Sequence, residues 1–200
     1  MILYGASGHA KVIIGICELN KENITAIIDD NKKVTSLLDY PVIQVDQLKL
    51  IKEKFIISIG NNKVRKEITT QLQSSFGTAI HPNTSIDKTV TIGVGTVIMA
   101  GSVINSSTKI GEHCIINSSS SVDHDCIIEN FVHISPNATL CGGVRVGEGS
   151  HIGAGAIIIP NIKIGKWCTI GAGAVILKEI SQGTTVVGNP GRIIKRKTIK

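Results

Sequence analysis

From Thr84 to Glu179 the hydrophobic positions return every six residues. Sixteen consecutive hexads run from TSIDKT, VTIGVG and TVIMAG through CIINSS, SSVDHD and VHISPN to CTIGAG and AVILKE. The third place is always a branched aliphatic, from Ile86 through Val122 and Leu140 to Ile176. The fourth is often glycine, as at Gly93, Gly111, Gly147, Gly153, Gly165 and Gly171, and the first is small or β-branched. A strict short period predicts a solenoid. One inward aliphatic per hexad fits short parallel strands that meet at corners, three to a turn. Eighteen residues then close one coil, and successive coils stack about 4.8 Å apart. The phase does not break, so no long loop should leave the prism. Its flat faces carry exposed aliphatics, so close association with further copies of the chain is expected.

Before residue 84 the pattern is different. Met1 to Tyr4 reads as a buried strand ending in Gly5-Ala6-Ser7-Gly8, and Ala10 to Leu19 has helical spacing. Strands are expected at Ile24–Ile28, near Val42 and at Phe55–Ile59, and helices at about Asp46–Lys52 and Lys63–Gln73. Strands alternating with helices indicate a parallel sheet, here about half a nucleotide-binding fold.

Composition narrows this picture. The chain has 200 residues, 42% hydrophobic but only 3% aromatic, so its core must be built from small aliphatics. The net charge of +6 favours anionic small molecules. No basic block is interleaved with aromatics, so nucleic acid is not expected as a partner. The five cysteines form no CxxC pair, which argues against a disulfide framework or zinc knuckle. Cys114, Cys126 and Cys168 occupy first places and read as small core fillers. No leader or membrane span is expected, and the cytoplasm is the default location.

The candidate chemistry lies where loops leave strands and where the hexad pattern departs from itself. Gly5–His9, Asp29-Asp30 and Gly60-Asn61-Asn62 all follow the carboxyl ends of parallel strands, where open α/β sheets collect ligands. A glycine turn opening a helix offers free N–H groups to an anion, though it reads equally as a tight turn. About 80 residues are too few for a two-lobed NAD site, so a dehydrogenase is excluded. In the coil, SSVDHD puts His124 in a fifth place with acids on both sides. His133 and His151 are second-place residues one coil apart and should stack. Asn117, His124, Asp125 and His133 fall within a few rungs of one another.

These features together resemble a known family, the hexapeptide-repeat sugar acetyltransferases with a small N-terminal domain. Members acetylate 4-amino nucleotide sugars of the bacillosamine and perosamine type, and related members O-acetylate sialic acids. The resemblance rests on YGASGH, IDD at Ile28–Asp30, IGNN at Ile59–Asn62, the hexads, and VVGNPGR at Val186–Arg192. It implies an α/β N-terminal Rossmann-like half-fold (residues 1–80) followed by an all-β left-handed parallel β-helix of hexapeptide repeats (81–200). It also implies a homotrimer with active sites between subunits, acetyl-CoA as co-substrate, a nucleotide-linked amino sugar as acceptor, and no metal.

Carried across residue by residue, the resemblance makes His124 the general base, with Asp125 holding its tautomer. Asn117 and His133 line the thioester, and Ala154 and Ala172 contact the cofactor. Gly188, Pro190 and Arg192 belong to the segment that closes over CoA, where Gly191 replaces a common alanine and should loosen it. Ser7, Gly8, His9, Asp29, Asp30, Gly60 and Asn61 take the nucleotide sugar. Arg192 or Lys195 is a candidate for the CoA 3′-phosphate, against a simple solvated basic tail. The residue types suit the chemistry independently. A sugar ammonium must lose a proton before it attacks a thioester, and imidazole is the natural acceptor near neutral pH. The Asn117 amide or backbone N–H groups suit the oxyanion. The competing readings are a sugar O-acetyltransferase, a zinc hydratase using several of His113, His124, His133 and His151, and a non-catalytic nucleotide-binding protein.

Overall fold

The computed structural model describes residues 1–47, 53–72 and 74–196. Its first part is a five-stranded sheet with strands β1 (Ile2–Tyr4), β2 (Ala26–Ile28), β3 (Ser36–Leu37), β4 (Tyr40–Ile43) and β5 (Phe55–Ile57). Their order is β3-β4-β2-β1-β5. All neighbours are parallel except β3 with β4. Helix α1 (Gly8–Leu19) buries Ala10, Ile13, Ile14, Ile16 and Cys17 on the sheet, and helix α2 (Asn62–Gln71) follows β5. The strand expected near Val42 is β4, whereas its short hairpin partner β3 has no counterpart in the sequence expectations. The helix expected at Asp46–Lys52 shows a 3-10 turn over Val45–Gln47; its remainder and Gln73 lie outside the described residues.

The second part is the expected parallel β-helix, built on three flat faces. The histidine face stacks Ala79–Ile80, Val97–Ile98, Ile115–Ile116, His133–Ile134, His151–Ile152, Thr169–Ile170 and Thr184–Val187. The neutral face stacks Ser85–Ile86, Val103–Ile104, Ser121–Val122, Thr139–Leu140, Ile157–Ile158 and Val175–Ile176. The basic face stacks Thr91–Ile92, Lys109–Ile110, Ile127–Ile128, Arg145–Val146 and Lys163–Ile164. Successive strands pair eighteen residues on, for example Val103 with Ser121, until the last coil, where Thr169 meets Thr185 sixteen residues on. The coil therefore starts before Thr84 and runs past Glu179.

Third-place aliphatics point inward and form one continuous core with first-place residues such as Cys114, Cys126, Val132, Ala156 and Cys168. All five cysteines are free, and the three first-place thiols are buried fillers, as expected. The corners repeat as strictly as the strands. Every sixth-place residue from Gly95 to Gly173 has positive φ, including Ser107, His113, Asp125, Phe131, Asn161 and Trp167. Fourth-place glycines have a separate cause. A Cβ on Gly153 would lie 2.6 Å from the Ala172 nitrogen and the Ile170 oxygen. Stacked corners come too close there for any side chain.

Residues 192–196 are an exposed strand, not a free tail. Thr184–Val187 and Arg192–Arg196 form an antiparallel hairpin across the end of the coil. The connecting Gly188–Gly191 segment is tied to Val175 in both directions, Val175 N–H to Gly188 O at 3.1 Å and Gly191 N–H to Val175 O at 2.8 Å. A Cβ at Gly191 would stand 2.9 Å from Ile176 Cδ1. Glycine there allows a close approach, which corrects the expectation of a loosened segment. Among the described residues no helix is long and apolar enough to cross a membrane.

Gly153→Ala should destabilise the protein by about 1–3 kcal/mol, because the added methyl meets backbone that cannot yield. Gly173 has positive φ but open space around it. Gly173→Asn, which tolerates that conformation, should change stability by less than about 0.5 kcal/mol. Urea denaturation of the two variants checks the contrast.

Candidate active site

The sequence-selected residues assemble on two edges of the prism and on the sheet that abuts it. In the α/β part, Gly5 has φ of 108° and no room for a Cβ against Ile59, whereas Gly8 opens on free space. Ser7 stands at the N-cap of α1 without a capping hydrogen bond, so the first N–H groups of the helix face outward. The two acids at the end of β2 are already held. Asp29 accepts from the Ala6 N–H at 2.7 Å and from the Asn31 N–H at 2.8 Å. Asp30 accepts from the Tyr4 hydroxyl at 3.0 Å. That contact adds to burial in pushing the Tyr4 pKa up to about 12. Asn61 Oδ1 caps α2 through Lys63 N–H and Val64 N–H.

The histidine face meets this sheet. His133 and His151 stack in register, ring centroids 4.7 Å apart and nearly parallel. Burial pushes the His133 pKa down to about 3, assisted by His151, Arg65 and His9. The Gly60 backbone opposes that fall, and His133 Nδ1 has no hydrogen-bond partner among the described residues. His9 is likewise pushed down to about 4 by burial, and its Nε2 has no partner. Asn117 closes the group. Its Oδ1 accepts from Ser118 N–H at 2.8 Å, so its Nδ2 is the atom 3.1 Å from His133 Nε2. One Asn117 N–H remains unspent. Ala154 and Ala172 lie below Asn117 on the same histidine–neutral edge, both exposed, and the Gly188–Arg192 segment ends that edge.

His124 is on the next edge, between the neutral and basic faces. Its Nδ1 is 2.8 Å from Asp125 Oδ2, and its Nε2 is 4.0 Å from Asp123 Oδ2. Asp125 reaches back because it holds a sixth place with φ of 59°. Asp123 is steadied by Asn105 and by the His124 N–H. The Asp125 hydrogen bond and the Asp123 charge hold the His124 pKa above 6.5. The imidazole is 57% exposed and lies over Gly142, where a Cβ would come within 2.6 Å of Nε2. A cavity of about 340 Å³ opens beside it, lined by Asp123, Asp125, Cys141, Gly142, Pro160 and Asn161. The four residues that looked like one cluster are thus split by the neutral face, with Asn117 and His133 on one side of it and His124–Asp125 on the other. Among the described residues no three His, Cys, Asp or Glu side chains converge as a metal site requires.

Comparison with known proteins places both parts together. Residues 1–72 match the PglD N-terminal domain, and three overlapping stretches covering 107–178 match the bacterial transferase hexapeptide repeat. The crystal structure of PerB from Caulobacter crescentus, in complex with CoA and GDP-perosamine, superposes with a TM-score of 0.91 at 32% identity, over 97% of this chain and 96% of that one. The acetyltransferase domain of PglB from Neisseria gonorrhoeae gives 0.90 at 35% identity, over 96% and 98%. The chain belongs to the hexapeptide-repeat sugar acetyltransferases. A UDP-N-acetylbacillosamine N-acetyltransferase of Bacillus subtilis is 40% identical over 108 residues; that match spans about half the length of each protein.

Within this family frame, three features of the site escaped the sequence reading. Gly142, one coil below His124, makes room for the imidazole, and its eighteen-residue spacing was the available signal. Tyr4 holds Asp30, but nothing in a buried strand announces a hydroxyl used that way. Asn62 and Arg65 join the two parts, and α2 gave no sign of it beyond unusual polar residues on its buried side.

Histidine ring titration by NMR should find His124 ionising above 6.5 and His133 neutral down to about 3. Asp125→Asn should lower the His124 value, since a lost anionic partner disfavours the imidazolium. An unchanged His124 titration would separate the two residues.

Proposed function

We propose that the protein is a cytoplasmic acetyltransferase moving the acetyl group of acetyl-CoA to the 4-amino group of a UDP- or GDP-linked amino-deoxy sugar, in surface-glycan or glycoprotein sugar biosynthesis. Residues 1–80 take the nucleotide sugar and 81–200 carry the transfer. The observation that carries this reading is the end-to-end match to a protein crystallised with CoA and GDP-perosamine, in a chain whose one exposed, acid-paired histidine is His124. The acid at Asp29, fixed against the glycine turn, and the open start of α1 suit a nucleotide diphosphate.

In this mechanism the sugar ammonium first releases one proton to solvent; the neutral amine then attacks the thioester carbon, and His124 Nε2 accepts the second proton from its nitrogen. Asp125, on Nδ1, stabilises the imidazolium that forms. The free Asn117 N–H stabilises the oxyanion. Collapse expels the CoA thiolate, which takes the proton back from His124. Ala154, Ala172, Gly188, Pro190 and Arg192 border the cofactor; His9 and Gly60 bring the sugar to it. No covalent acyl-enzyme is needed, because alignment of two bound reactants supplies the rate advantage.

His124 and Asn117 flank one face without meeting, so the centre is completed between copies. The neutral face exposes Ser85, Val103, Ser121, Thr139, Ile157 and Val175 in its outward places and no charge. The basic face, by contrast, exposes Lys109, Arg145 and Lys163. A homotrimer packed about the neutral faces brings the His124 edge of one copy beside the Asn117 edge of the next.

An acetylation assay over UDP- and GDP-linked 4-amino sugars and free sialic acid tests the proposal. Turnover of a nucleotide amino sugar is expected, and turnover of sialic acid alone would replace it with O-acetylation. His124→Ala should lower turnover about a hundredfold or more, the usual worth of a general base; an unaltered rate would remove His124 from the mechanism.

A further inference from the structure

Helix α2 lies along the edge between the basic and histidine faces, and its buried side is polar. Asn62 and Arg65 are its buried residues on that side, with Ile68 beyond. Asn62 Nδ2 donates to the Gly149 and Ser150 carbonyls at 3.0 and 3.2 Å. Arg65 Nη2 donates to Phe131 O at 3.0 Å and Nε to His113 O at 2.8 Å. The carbonyls of residues 113, 131 and 149 are eighteen apart, one per coil. Three residues of helix rise about 4.5 Å and one coil about 4.8 Å, so consecutive turns of α2 meet consecutive corners.

Arg65 also reaches the other way. Nη1 donates to Ile59 O at 3.0 Å and, at 3.4 Å, to Gly60 O. Nη2 also donates to Asn62 Oδ1 at 2.8 Å. The side chain is 1% exposed, and among the described residues every hydrogen bond it makes is to a neutral oxygen and none is to a carboxylate. A salt bridge is therefore not what keeps this cation in the interior. The fork binds the loop after β5 to two corners of the coil in one rigid unit, a geometry that the single ammonium of lysine does not reproduce.

We infer that Arg65 is a positioning residue for acetyl transfer, setting the Gly60 loop against His133 and Asn117 so that sugar and thioester sites keep one spacing. This deepens the proposed function and rests on it. The loop that Arg65 holds includes Gly60, whose backbone acts on the His133 ring. Its charge has a second effect on the same groups. It disfavours protonation of His9, His133 and His151, and His133 must be neutral for Nε2 to accept from Asn117. With that bond in place, the amide presents its remaining N–H in a fixed direction.

Arg65→Lys and Arg65→Gln in the full chain test the inference, with folding followed by thermal denaturation. In folded Arg65→Lys, kcat/KM for the nucleotide amino sugar should fall about a hundredfold, as expected for misplacement near 1 Å, while the Kd for CoA stays within about threefold. In Arg65→Gln, His133 should titrate at higher pH; in Arg65→Lys, which keeps the cation, it should not. Loss of activity only in proportion to the unfolded fraction, with sugar and CoA constants unchanged, would reduce Arg65 to a structural residue. If the wild type acetylates no nucleotide amino sugar, the functional reading fails. The His133 titration still reports whether Arg65 acts on that group.

Discussion

Backbone stacking between coils is the interaction on which the rest of this protein depends. Strands and corners are hydrogen-bonded to their equivalents eighteen residues away, sixteen in the last coil, and third-place aliphatics fill the narrow interior. The constraint is severe at the corners, where backbones touch and sixth-place residues adopt positive φ whether or not they are glycine. It also makes position along the chain a coordinate system. A residue's place in its hexad fixes its face or edge, and its coil number fixes its height. His133 over His151, Gly142 under His124 and Ala154 over Ala172 are consequences of that grid.

The α/β part is fastened to the same grid. Its helix α2 reads corner carbonyls at the coil spacing through Asn62 and Arg65, and α1 adds a bond from Asn20 to Ile80 O. Lys66 pairs with Glu148 and lies near the Phe131 and Trp167 rings on the same edge. His9, in the first turn of α1, and Gly60, on the loop after β5, thereby come within reach of His133. Electrostatics then divide the histidines by environment. Those at the junction are buried and held neutral, whereas His124, exposed and flanked by carboxylates, is made more basic. One residue type serves two purposes, and solvent access with charge decides which.

Much of this was legible in the sequence. The hexad period disclosed the parallel coil, the inward aliphatics, the buried thiols and the stacked histidine pair, since each follows from a repeat of eighteen. The strand–helix alternation before residue 80 disclosed the parallel sheet. What stayed hidden has physical causes. Asn117 and His124 are seven residues apart and look adjacent, but the strand Ser121–Val122 lies between them and sets them at opposite edges of a face. The sixth-place conformation was obscured because His113, Phe131 and Trp167 adopt it alongside glycine and asparagine. Arg65 on an otherwise polar helix reads as a solvent-facing cation until the carbonyl ladder opposite it is seen. The strand at Arg192–Arg196 was masked by its charge, which suggested a free tail.

The proposed division of chemistry between two edges makes the central claim accessible to one measurement. His124→Ala impairs the edge proposed to hold the base, and Asn117→Asp removes both N–H donors from the edge proposed to hold the thioester. Each variant alone should be nearly inactive. Unfolded together in equal amounts and refolded, they should recover about a quarter of wild-type acetyl transfer, because in a closed ring a quarter of interfaces pair an intact base edge with an intact thioester edge. Activity that stays at the level of the separate variants would contradict a site shared between copies and return the chemistry to a single chain.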